Sequence, residues 1–156
     1  MKTIIKNPGP FPLSKAIVHN DKYTMEISGQ IGMDAKTGEL AIGIEEQTVK
    51  TFEAIKSALE SVGWDFTNII KARVYLADMK DYAKMNEVYG KYFTKDYPTR
   101  VAFAVKELPR GALVEIECIT SWSVCASSWC FFNSRAFAFR QKSLFKKFWK
   151  SKRSND

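Results

Sequence analysis

Two stretches with apolar residues at helical spacing, separated by one run rich in β-branched residues, restrict this chain to helices packed on a sheet. From Glu45 to Val62, Phe52, Ile55, Leu59 and Val62 recur on one helical face, and Gly63 stands where a helix-ending glycine belongs. Ile69 to Leu76 (IIKARVYL) reads as a strand. Asp78 is placed to cap a second helix running to about Phe93, with Tyr82, Met85, Tyr89 and Tyr92 as its buried stripe.

The remaining elements follow from alternation and turn chemistry. Tyr23, Met25 and Ile27 alternate with Thr24, Glu26 and Ser28, as a half-buried strand requires. Asp34 to Glu39 reads as a turn with Gly38 at positive φ, and residues 6–16, rich in proline, as extended or turned chain. Arg100 to Val105 and Ala112 to about Trp122 are strands flanking the turn Leu108-Pro109-Arg110-Gly111. The predicted order is strand, strand, helix, strand, helix, strand, strand, an α+β fold with two helices against one sheet.

Net charge matters only once it is located. Of 24 Lys and Arg and 17 Asp and Glu, eight basic residues and one acid lie from Ser121 onward. That leaves 24 − 8 = 16 basic and 17 − 1 = 16 acidic residues in positions 1–120, so the net +7 belongs to the C-terminal segment. A nucleic-acid surface is therefore expected only there. Residues 1–122 are expected to form the folded domain and 123–156 a basic, aromatic tail. The tail fits either a basic amphipathic helix or a non-native, disordered extension without a selected role, and the second reading is preferred. Cys118, Cys125 and Cys130 make an odd count with no zinc-ligand spacing, and Cys118 reads as a small core residue. No apolar run reaches the ~20 residues of a membrane span, and Pro8 interrupts any secretion signal, so a cytoplasmic protein is expected.

Two residues carry candidate chemistry. Arg100 opens a strand, and its planar fork suits a small carboxylate. Glu115 lies among apolar neighbours on the last strand and could move protons. Glu115 and Glu117 are two apart, so they share a face at about 7 Å, and their repulsion is expected to raise the pKa of at least one. Taken alone, the same residues fit a solvated strand end and the wet face of a sheet. Lys71 and Arg73 read as ordinary surface charge, and His19 has no assigned role.

Four segments together raise the functional reading above that plain one. They are ISGQIGMDAKTGEL (27–40), EEQTVKTFEAIKSALESVG (45–63), IIKARVYLADMKDYAKMNEVYGKYF (69–93) and YPTRVAFAVKELPRGALVEIECI (97–119). In order and spacing, residues 6–122 resemble the reactive-intermediate deaminase family, the RidA, YjgF or L-PSP proteins. The resemblance implies a mixed β-sheet with two helices on one face, like the bacillus-type chorismate mutase fold. It implies a homotrimer with clefts between subunits. It also implies cofactor-free and metal-free hydrolysis of 2-iminobutanoate and 2-iminopropanoate to 2-oxo acids and ammonia. Carried over by position, the family arginine is Arg100 and the catalytic glutamate Glu115. The serine and glycine of the S-G-Q loop are Ser28 and Gly29, and the helix asparagine is Asn86. Two positions depart: a family tyrosine is replaced by Phe11 or Leu13, and a family cysteine by Ala102. The competing readings are an RNA-binding or endoribonuclease-like protein and a non-catalytic ligand-binding trimer.

Overall fold

Residues 2–6 and 14–19 contribute a pair of strands that the sequence did not announce. In the computed structural model, which describes residues 2–6, 12–19, 23–93 and 96–122, strands β1 (Lys2–Lys6) and β2 (Ser14–His19) pair antiparallel. Five residues, KTIIK, with two isoleucines side by side, show no alternation to read. Three strands thus precede the first helix where two were expected. The Ser14 N–H donates to the Pro98 carbonyl at 3.0 Å, and its hydroxyl donates to the Tyr97 carbonyl.

The main sheet holds β3 (Tyr23–Ile31), β4 (Ile69–Leu76), β5 (Thr99–Ala104) and β6 (Val114–Trp122) in the order β3-β6-β4-β5. β6 runs antiparallel to both β3 and β4, so those two run parallel with β6 inserted between them. β4 and β5 pair parallel directly. Parallel strands need a crossover, and two helices supply both: α1 (Gly43–Ser61) after β3 and α2 (Tyr82–Tyr92) after β4. The α+β fold with a mixed sheet and two helices is as expected.

Both helices cover one face. Phe52, Ile55 and Leu59 are fully buried, and Val62 packs at the margin of the same core. Burying each such side chain is worth roughly 1.5–3 kcal/mol, which holds an otherwise polar helix in place. Thr48 and Thr51 are also buried on α1. Their hydroxyls donate to the carbonyls of Ile44 (2.6 Å) and Gln47 (2.8 Å), so no polar group is stranded there. Gly63, at φ +75°, ends the helix as predicted.

On α2, Met85 and Tyr89 are fully buried, with Tyr82 and Tyr92 at the core margin. Asp78 caps a short 3-10 turn, accepting from Lys80 N–H at 2.9 Å, and that turn leads into α2. The Phe52 ring stacks on Tyr92 at 4.2 Å and meets Tyr89 edge-on at 5.5 Å, which ties α1 to α2. Along β4, Ala72, Val74 and Leu76 face the helices, and Lys71, Arg73 and Tyr75 face away. Cys118 faces the helices at 2% exposure, the core residue expected, and burial pushes its thiol up to about 12. Cys125, Cys130 and the tail reading lie outside the described residues.

Candidate functional site

Register decides which face each candidate takes. Arg100 pairs with Ala72, which pairs with Cys118, so all three point toward the helices. Glu115 pairs with Tyr75 and with Ile31, on the open face of the sheet. Within one protomer the sheet therefore stands between Arg100 and Glu115. The predicted residues fall into two candidate half-sites: Arg100 against α2, and Glu115 against Gly29, with Ser28 next to it on the same bulge.

The first half-site is an arginine seated on tyrosines. The Arg100 guanidinium carbon lies 4.4 Å from the Tyr89 ring centroid and 5.8 Å from that of Tyr82. Its Nη2 donates to the Tyr82 hydroxyl at 3.0 Å. Its Nη1 is buried and makes no hydrogen bond. Asn86 lies one turn beyond Tyr82 on the same helical face, and its Oδ1 is likewise buried and unpartnered. So is the Tyr89 hydroxyl, whose pKa burial pushes far up, keeping it protonated. Leaving a buried donor unmade costs on the order of 1–3 kcal/mol, more for a charged one.

The second half-site rests on a bulge. Ile27 pairs with Cys118 and Gln30 with Ile116, so Ser28 and Gly29 together stand opposite Glu117. This extra residue brings the Gly29 backbone against the Glu115 carboxylate. A methyl group built on Gly29 would overlap Glu115 Oε1 and lie 2.7 Å from Cδ. Only glycine leaves room for the carboxylate in this pose.

Glu117 has a cation for a partner. It accepts a short ion-paired hydrogen bond from Arg73, its register partner on β4, and another from Tyr75 Oη at 3.1 Å. The Arg73 hydrogen bond holds its pKa below the ordinary value, so it does not rise through repulsion between the two glutamates. Arg73, read as plain surface charge, thus pairs with Glu117. Arg73 and Glu117 border a hollow of about 300 Å³ on the open face, with Glu26, Ser28 and Lys71; Glu115 is not part of its lining.

A stability consequence follows. Glu117 is charged in both folded and unfolded chains above its ordinary value, 4.5, where the pairing is fully felt. As pH falls through the lowered folded value, the proton binds and the stabilisation is lost. Melting curves should show Glu117→Gln flattening the acid limb of the stability profile. The effect should be small, because Arg73 and Glu117 side chains are 40% and 30% exposed.

The family model described as Endoribonuclease L-PSP matches residues 6–121. The chain belongs to this family, the RidA/YjgF/L-PSP proteins. A RutC family protein of Pyrococcus abyssi is 45% identical over 117 residues, 73% of this chain and 90% of that one. Human 2-iminobutanoate/2-iminopropanoate deaminase is 40% identical over 116 residues, 73% of this chain and 83% of that one. Among solved structures, RidA from an Antarctic Psychrobacter superposes with a TM-score of 0.62 at 36% identity, covering 76% of this chain and 94% of its own. TdcF of E. coli with bound serine gives 0.63 at 30%, covering 77% and 94%.

As a RidA-family chain, it departs from the expected pattern at two positions. Phe11 lies outside the described residues; Leu13 and Ala102 are half-buried. Sequence reasoning placed Tyr82 and Tyr89 in the core stripe and missed their contact with Arg100. Their only sequence signal is the helical spacing that puts both beside Asn86. Among the described residues no helix is long and apolar enough to cross a membrane, and no three metal-ligating side chains cluster.

Proposed function

We propose that this RidA-family protein hydrolyses small 2-imino acids such as 2-iminobutanoate and 2-iminopropanoate to 2-oxo acids and ammonia, in sites between subunits of a homotrimer. The observation that carries this is the Arg100 guanidinium, seated on Tyr89 and Tyr82 with a buried Nη1 still unpaired. A carboxylate is the natural acceptor for such a fork. Relatives at about 40% identity bear the deaminase name, and one solved relative holds serine, a small amino acid.

Arg100 binds the substrate carboxylate, and Asn86 Oδ1 offers an acceptor for an N–H of the substrate. Glu115, fixed against Gly29, takes a proton from water as its oxygen adds to the imine carbon, then returns a proton to the nitrogen. That gives a carbinolamine; Glu115 then takes the proton of its hydroxyl and delivers it to the nitrogen as the C–N bond breaks, so ammonia leaves and the C=O of the 2-oxo acid forms. The sheet separates the two residues in one copy, so the reaction needs Arg100 of one subunit and Glu115 of another. Val101 and Phe103 on the open face of β5 are 41% and 44% exposed, with Phe103 edge-on to Tyr75 at 5.4 Å. Such apolar surface suits burial against another copy.

The test is ammonia release from imines formed in situ, measured against the spontaneous rate. Arg100→Ala should reduce it to the buffer rate while assembly, read by light scattering, is unchanged. Full turnover in that variant would exclude the mechanism. A ribonuclease reading draws on the family description, yet residues 1–120 carry no net charge to attract RNA.

A further inference from the structure

We propose that Tyr82 is a positioning residue for substrate binding, its hydroxyl setting the rotation of the Arg100 fork; this rests on the imino-acid reading above. A guanidinium lying on a ring is free to turn in its own plane, because ring and fork attract one another in many in-plane orientations. The Tyr89 ring at 4.4 Å therefore fixes the height of the Arg100 fork and not its direction. The Tyr82 hydroxyl, accepting from Nη2 at 3.0 Å, supplies the missing constraint. With Nη2 engaged, Nη1 is the terminal nitrogen left unpaired. Carboxylate recognition by two parallel bonds depends on that direction.

The scaffold suits the task. Tyr82 is the first residue of α2, and its own N–H donates to Met79 in the 3-10 turn that Asp78 caps. Its ring is part-buried against the core. A hydroxyl anchored at both backbone and ring loses little freedom on holding Arg100, so most of the bond's energy goes into orientation.

Tyr82→Phe removes the acceptor and keeps the ring. A hydrogen bond to a charged group is lost, which should raise KM for a 2-imino acid about tenfold with kcat nearly unchanged. The melting temperature should hold within a few degrees. The decisive comparison uses a 2-imino amide, in which the carboxylate is replaced by a neutral group. There the variant and parent should have the same KM, because no fork needs aligning. A KM unchanged with the acid, an equal loss with the amide, or a fall in kcat that tracks a lower melting temperature would each overturn the positioning role. Arg100→Ala separates the two levels. If it is inactive while Tyr82→Phe matches the parent, only the role of Tyr82 falls. If it is fully active, the imino-acid reading falls as well.

Discussion

Arg100→Ala and Glu115→Ala, each inactive alone, are expected to recover about one quarter of parental activity when co-assembled in equal amounts. The reason is geometric. Arg100 points toward the helices through its pairing with Ala72, and Glu115 points to the open face through its pairing with Tyr75. A complete site must then draw one residue from each of two copies. In a randomly mixed ring, a site is whole when the arginine donor is the Glu115→Ala chain and its neighbour the Arg100→Ala chain. Each choice has probability one half, which gives about a quarter of sites. The separate losses should be about 10²–10⁴-fold, the range for removing a proton-transfer group, so recovery stands far above background. Mixing either variant with the double variant should recover nothing. Absence of rescue between the single variants, with mixed assemblies confirmed by mass, would mean that Arg100 and Glu115 do not serve one site.

Some of this was open to sequence reasoning and some was not, for identifiable reasons. Helix α1 was legible because Phe52, Ile55 and Leu59 keep a helical period long enough to be unambiguous, and Gly63 marks its end. β1 was not, because KTIIK offers neither alternation nor turn residues. The lowered pKa of Glu117 was not legible because the decisive partner, Arg73, is 44 residues away and meets it through strand register. Repulsion from Glu115 is visible in sequence; a cross-strand ion pair is not. Tyr82 and Tyr89 satisfied the pattern of a buried stripe, and that pattern says nothing about a cation resting on their rings. The half-sites were partly legible: residue types came from the motifs, while the face each takes came only from pairing.

Gly29 offers the sharpest division between folding and chemistry. Gly29→Ala is expected to lower kcat about 100-fold, as a misplacement near 1 Å of a reacting group can, while leaving the melting temperature within a few degrees. Gly29 is not among the glycines at positive φ, so alanine meets no backbone penalty there. The added methyl would collide only with the Glu115 side chain, overlapping Oε1 and lying 2.7 Å from Cδ. A carboxylate at the end of a flexible stem swings away at little energetic cost, and the fold survives with its base displaced. Gly32 gives the contrast three residues along. A methyl on Gly32 would overlap the Cα and carbonyl oxygen of Gln47 on α1 and lie 2.5 Å from its Cβ. Backbone cannot swing away, and Gln47 is anchored by donating to Ala41 O at 2.9 Å and accepting from Leu113 N–H at 2.8 Å. Gly32→Ala should therefore cost about 1–3 kcal/mol or more of stability through overpacking. The pair is read by melting and by kinetics on the same samples. An active Gly29→Ala with normal kcat would show that the Glu115 pose on the bulge is not the working one, and the proton-transfer role of Glu115 would lose its geometric basis.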